Sequence, residues 1–306
     1  MKDRIKTINY TRLPELYKML ARSFNRENGY FIPFVEKNPG FYPSLFLYTE
    51  KKGRIASCVQ ILELNAYIKG KLTKIGGIGQ VATLPEFRGQ GLASELLKAC
   101  LKRMKEMGYA FSLLFAGPVP LYQKIGFKLL DVKYYFFEGV LLDHKGPFTI
   151  LPMKEKYNYT LFDIHQEFIK HYNMTISRNF LYWQYYWKEF KARGCQTFLL
   201  KEKNLVAYIT IKEEKDKIGI CEYGSYRKNN GDDFTKLLAF VLIKTKKNQI
   251  YINCGNDHYT PVKVLKRFCK NYSTNNQKGF MVRDINRKYN WKDIKKKTLY
   301  FSGDRF

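Results

Sequence analysis

The sequence predicts a mixed α/β protein built as two similar units, each a mostly antiparallel sheet flanked by helices. Three observations carry this reading. Strand-like and helix-like hydrophobic periods alternate along the whole length. The order helix, three strands, helix, strand, helix, strand runs through residues 1–142 and returns more loosely in residues 159–306. Between them, residues 143–158 hold a Gly-Pro, a Leu-Pro and a Lys-Glu-Lys and read as a linker. A length of 306 residues fits two domains of roughly 100–200 residues each.

The first helix, Arg12 to Phe24, sets Leu13, Leu16, Tyr17, Leu20, Ala21 and Phe24 on one face. An aromatic stretch follows, from Tyr30 to Tyr42. Strand-like runs then cover Leu45–Thr49, Ile55–Leu64 and Lys74–Thr83, with turn signals at Lys51-Lys52-Gly53 and Lys69-Gly70-Lys71. A strong amphipathic helix spans Gly91 to Met107, with Leu96, Leu97, Cys100 and Met104 inward, and Gly108 stops it. Tyr109–Ala116 is a nearly continuous apolar run, the mark of a strand buried on both faces. A short helix at Pro120–Ile125 and a strand pattern from Phe127 to Leu142 complete the first unit.

In the second unit, helical spacing covers Leu161–Tyr172 and Arg178–Phe190, where Trp183 to Trp187 read as packing. Strand patterns cover Gln196–Lys201, Leu205–Lys212 and Ile218–Tyr226. A helix over Asp233–Lys246, capped by Asp232 or Asp233, precedes a strand at Ile250–Cys254, a helix at Thr260–Lys270 and a strand at Gly279–Ile285.

Bulk properties exclude several classes. Hydrophobic residues make up 45% of the chain, enough for buried cores and far from a disordered composition. No window approaches the ~20 apolar residues of a membrane span, and no signal core is seen, so the expected compartment is the cytoplasm. Six scattered Cys without a C-x-x-C pair, and four dispersed His, give no basis for a metal site. Net charge is +27, divided as +11 in residues 1–150 and +16 beyond, which favours anions without naming one. No nucleic-acid motif accompanies it.

The chemistry-bearing segment is Val81-Ala-Thr-Leu-Pro-Glu-Phe-Arg88-Gly89-Gln90-Gly91-Leu92-Ala93. A strand ends, Pro85 turns the chain, and a Gly-rich loop opens into the strongest helix. The first N–H groups of that helix lack intrahelical partners and, with the helix dipole, suit a phosphate. Gly89 and Gly91 let a ligand approach the backbone, and Arg88 adds a charged donor at the rim.

Some thirty residues on stands Leu121-Tyr122-Gln123-Lys124-Ile125-Gly126-Phe127. The pair resembles motif A (Q/R-x-x-G-x-G/A) and motif B (Y-x-x-x-G-F) of the GNAT superfamily of N-acetyltransferases. The resemblance is close over residues 75–130 and extends by element order over 1–142. It implies acetyl-CoA as cosubstrate, its pyrophosphate on Arg88, Gly89, Gln90, Gly91, Leu92 and Ala93, and its pantetheine arm along Val81 and Thr83. It also implies Tyr122 as the acid that protonates the departing thiolate and the Val81 N–H as oxyanion donor. Glu63, late in the second strand run, is a candidate general base; Glu86 in the loop is expected to be solvated. The aromatic stretch Tyr30–Tyr42 lies where the family builds its acceptor wall.

Two departures mark this chain. Gly117-Pro118 stands where many GNATs carry an Asn, and the second unit has Arg227 to Asp233 in place of a phosphate loop. Two acids at that helix start would repel a pyrophosphate. The arrangement resembles tandem-GNAT enzymes of the enhanced-intracellular-survival type without their sterol-carrier-like domain, whose terminal carboxylate takes part in catalysis; whether the Phe306 carboxylate does so here is open. The implied activity is acetyl transfer to a primary amine, of a small molecule ahead of a protein. Two other readings are an aminoacyl-tRNA-dependent transferase, which also uses tandem GNAT-like units, and a non-catalytic acyl-CoA-binding module.

Overall fold

The computed structural model describes residues 5–36, 41–130, 132–142, 148–227, 231–254, 257–276, 279–286, 289, 294, 297–299 and 301. The Phe306 carboxylate, the start of the linker (143–147) and residues 228–230 lie outside them.

After a two-residue strand β1 (Lys6–Thr7) comes α1 (Leu13–Phe24). Pro14 starts it in the first turn, where no N–H is needed, and Leu13, Leu16, Tyr17 and Leu20 form its buried stripe. Asn25 ends it in the left-handed conformation, φ 52°. A short α2 (Ile32–Glu36) leads to the long strands β2 (Phe46–Lys51), β3 (Arg54–Ile68) and β4 (Lys71–Thr83). Helix α3 (Leu92–Glu106) buries Leu96, Leu97, Cys100 and Met104 against them, and Gly108, φ 76°, follows its end. Then come β5 (Phe111–Phe115), α4 (Val119–Gln123), β6 (Lys128–Leu129) and β7 (Lys133–Glu138).

The second half supplies β8 (Thr149–Pro152), α5 (Asn158–Ile169), β9 (Thr175–Ser177), α6 (Phe180–Ala192), β10 (Gln196–Lys201) and β11 (Leu205–Glu213). It continues with β12 (Ile218–Ser225), α7 (Gly231–Thr245), β13 (Ile250–Cys254), α8 (Thr260–Phe268), β14 (Asn271–Asn276) and β15 (Phe280–Asp284).

Two mixed sheets result. The first runs β1-β2-β3-β4-β5-β15-β6, with β9 pairing the far end of β3; the second runs β14-β7-β13-β12-β11-β10-β8. In each, one parallel pair (β4 with β5, β12 with β13) sits among antiparallel neighbours. The sheets have the same plan, and they exchange one strand. β7, from the first half, pairs with β13 and β14, while β15, from the far end of the chain, lies between β5 and β6.

This corrects the expectation that Phe127–Leu142 forms one strand closing the first unit. Only Lys128–Leu129 stays in the first sheet. Lys133–Glu138 crosses because Tyr135 and Phe137 on one of its faces enter the second core, where both are fully buried. Burial of side chains this size is worth ~2 kcal/mol each. The expected linker also contains structure: Thr149–Pro152 pairs with β10.

The second unit encloses a polar cluster. Arg178 donates twice to Glu222, at 3.1 and 2.8 Å, and Tyr186 and Tyr208 donate to the same carboxylate at 2.8 and 2.5 Å. His165 Nδ1 lies 3.1 Å from the Tyr208 hydroxyl, while its Nε2 is buried without a partner among the described residues. Trp183 is fully buried against α5 and β11, as helix packing.

Candidate functional site

The site begins with an irregularity in β4. Gly79 pairs with Gln60 and Ala82 with Cys58, so Gln80 and Val81 together oppose Val59. This is a β-bulge, and Gln80 takes the left-handed conformation within it, φ 49°. The parallel pairing of β4 with β5 ends just before it, at Ile78 and Leu114. Past that point the strands separate, and the edge of β4 from Gly79 to Thr83 borders a groove of about 980 Å³.

The far end of the groove is the loop before α3. Gly89 and Gly91 have φ 79° and 81°, and a Cβ built on either meets nothing within 4 Å. Both positions thus need glycine for backbone reasons and leave open space where a ligand would lie. The Glu95 N–H to Gly91 carbonyl bond, at 3.1 Å, opens the helical ladder, so the N–H groups of Leu92, Ala93 and Ser94 precede it.

The guanidinium of Arg88 lines the groove and also braces the loop. Its Nε donates to the Thr83 carbonyl at 3.2 Å and its Nη2 to the Ser23 carbonyl at 2.9 Å. It staples the loop to the end of β4 and to α1. Gln90 is exposed and stands outside the lining.

Tyr122, on α4, borders the same groove and is 5% exposed. Its ring meets Phe127 edge-on, centroids 6.2 Å apart. Burial pushes the phenol up to about 12, and its hydroxyl donates to no described residue. Gly126, φ 86°, closes the turn between the two aromatics, which accounts for the Y-x-x-x-G-F spacing. Gly117 and Pro118 line the groove where β5 ends.

Val81, Thr83, Arg88, Gly89, Gly91, Leu92, Ala93 and Tyr122 therefore meet in one place. Glu63 does not join them. Its carboxylate accepts from Tyr109 at 2.8 Å and pairs with Lys74 at 2.8 Å, outside the groove. The candidate base is thus a structural ion pair. Lys74 and the Tyr109 hydrogen bond hold its carboxyl below its ordinary value, against the opposing effect of burial. Glu86 is not simply solvated either, since Arg22 and Arg54 pair with it at 2.9 and 2.7 Å.

The opposite wall comes from Phe24, Arg26, Tyr30 and Phe31. Phe31 also belongs to the core beneath α1. Arg26 sits over the Tyr30 ring at 5.3 Å. Among the described lining residues the charged ones are Arg26, Arg88 and Lys124, all cationic. Arg26 and Lys124 carry no sequence motif that would have marked them.

At the equivalent junction of the second unit, Asp233 is fully buried. It accepts from Ser225 at 2.6 Å and from Arg227 at 3.0 Å. No group of three or more potential metal ligands occurs among the described residues.

Residues 4–130 match the family model described as the acetyltransferase (GNAT) domain. The uncharacterized N-acetyltransferase YhbS of Escherichia coli (strain K12) is 27% identical over 116 residues, 38% of this chain and 68% of that protein. A GCN5-related N-acetyltransferase from Anabaena variabilis superposes with a TM-score of 0.77 at 16% identity, over 93% of this chain and 73% of its own. Eis1 from Mycobacterium abscessus superposes with a TM-score of 0.69 at 10% identity, over 92% and 74%. At these identities the structural likeness is one of fold.

Proposed function

We propose, from the premise that residues 4–130 form an acetyltransferase domain of the GNAT type, that this chain moves an acetyl group from acetyl-CoA to a primary amine. The observation that carries the proposal is the convergence of the β4 bulge, the glycine loop and Tyr122 on one groove.

Acetyl-CoA supplies an activated thioester; the chain supplies placement and protons. The N–H groups at the start of α3 bind the pyrophosphate, and the open space at Gly89 and Gly91 admits it. The free edge of β4 takes the pantetheine arm. The Val81 N–H donates to the thioester oxygen as charge develops there. The Tyr122 hydroxyl, kept protonated by burial, donates to the sulfur as it leaves. No carboxylate lines the groove among the described residues, so the amine attacks in its neutral form or gives its proton to water.

The acceptor is inferred to carry little positive charge besides the reacting amine, because the charged lining residues are cationic. An amino sugar, an amino acid, a nucleotide-linked amine or a protein terminus fits better than a polyamine. The test is thiol release from acetyl-CoA with glucosamine, glycylglycine, spermidine and an aminoglycoside. Turnover with at least one amine is expected, the first two ahead of the last two. Tight CoA binding without turnover of any amine would leave a binding module instead.

A further inference from the structure

The wall that carries Tyr122 is held from the opposite end of the chain. β15 lies between β5 and β6, with Val282 opposite both Leu113 and Lys128. The Ala116 N–H donates to Gly279 at 2.7 Å, the Leu130 N–H to Phe280 at 2.8 Å, and the Phe280 ring stacks on Phe115 with centroids 4.8 Å apart. Both flanks of residues 116–130 are thus pinned by one strand.

A side chain of that strand reaches the turn itself. Arg283 Nη1 donates to the Ile125 carbonyl. Its guanidinium lies over Gly126, where an added Cβ would make ordinary van der Waals contact, 3.5 Å from Cζ and Nη1. The turn below is tied to Tyr122 through the backbone, since the N–H groups of Ile125 and Phe127 both donate to the Tyr122 carbonyl at 3.1 Å. The Phe127 ring then abuts the Tyr122 ring.

We propose that Arg283 is a positioning residue for Tyr122, clamping the Tyr122–Phe127 turn from the second half of the chain so that the phenol stays aimed into the groove. This rests on the reading of Tyr122 as the proton donor. The groove is accordingly incomplete in the first half alone, although every described residue lining it belongs to that half.

The test uses Arg283→Ala, Arg283→Lys and Tyr122→Phe in the full chain, with two readouts. Amide hydrogen exchange needs no acceptor. In Arg283→Ala the Ile125–Phe127 amides should exchange about ten-fold faster while those of α3 stay unchanged, and Arg283→Lys should restore part of the protection. Unchanged exchange at the turn would overturn the proposal. Turnover then uses acetyl-CoA and the fastest amine of the panel. Arg283→Ala should lower kcat about ten-fold with KM for acetyl-CoA within about two-fold, and should lower it no further in a Tyr122→Phe background. An equal loss in both backgrounds would make Arg283 a general structural residue and sink the idea. A Tyr122→Phe enzyme of undiminished kcat would instead remove the acid assignment, and the exchange result would still report on the clamp.

Discussion

Replacing Gly91 by Ala separates a backbone effect from a ligand effect. Gly91 is left-handed, φ 81°, so any side chain costs ~1–2 kcal/mol there. At about 2–3 °C per kcal/mol for a chain of this size, the free protein should melt about 2–6 °C lower. Its Cβ meets no protein atom within 4 Å, so there is no packing penalty to add. Gly53, in the β2–β3 hairpin, is the matched control: φ is 73° and its Cβ site is equally open. Gly53→Ala should carry the same stability cost and no other. At Gly91 the added methyl also intrudes where the pyrophosphate must approach. Loss of one charge-assisted backbone contact, ~2 kcal/mol, weakens CoA about 30-fold. With CoA at about 100 times the wild-type Kd, ligand stabilisation is ~2.7 kcal/mol, and a 30-fold weaker variant retains ~0.9 kcal/mol. The thermal shift on adding CoA should therefore shrink to about a third in Gly91→Ala and stay whole in Gly53→Ala. An undiminished shift in Gly91→Ala would refute the placement of the phosphates.

Three further outcomes follow from the same geometry. Tyr122→Phe should lower kcat about 100-fold with acetyl-CoA affinity within two-fold; because burial lifts the phenol to about 12, the wild-type rate should show no alkaline loss from this group below about pH 11. Glu63→Gln should leave turnover within about two-fold, because its carboxylate is bound by Lys74 and Tyr109 away from the groove; a 100-fold fall would reinstate it as the base. His165 is held neutral, at about 4 against its usual 6.5, by burial and by the neighbouring Arg178, so the unfolded chain binds more protons between those values. Stability should thus fall as pH drops through that window, by at most ~1.4 kcal/mol per pH unit, and His165→Phe should flatten the fall in urea midpoints between pH 7 and 4.5. An equally steep decline in the variant would place the acid sensitivity elsewhere.

Local pattern explains what was legible. The apolar stripes of α1 and α3 and the long runs of β3 and β4 are written in adjacent residues, and so is the glycine loop. Partnership is not. The short apolar runs in Lys133–Glu138 and Phe280–Asp284 mark each as a strand but hold nothing about which sheet it joins. β14 is exposed at every residue, so its Asn-rich sequence offers no alternation at all. The bulge at Gln80 depends on the register against β3, which no residue in β4 announces. Arg88 has a second role that its residue type does not announce: the guanidinium lines the groove and also bonds the carbonyls of Thr83 and Ser23. The Arg178–Glu222 pair joins positions far apart in sequence and had no local trace.

The exchange of strands sets the order of synthesis against the order of assembly. Phe115 emerges from the ribosome long before Phe280, with which it pairs. At ~5–20 residues per second the gap is roughly 10–30 s. Throughout it, the β5 edge waits with Phe111, Leu113 and Phe115 uncovered, an open template for any stray strand. The half that carries the groove is translated first, yet its sheet has all its strands only after Phe280–Asp284 has been made.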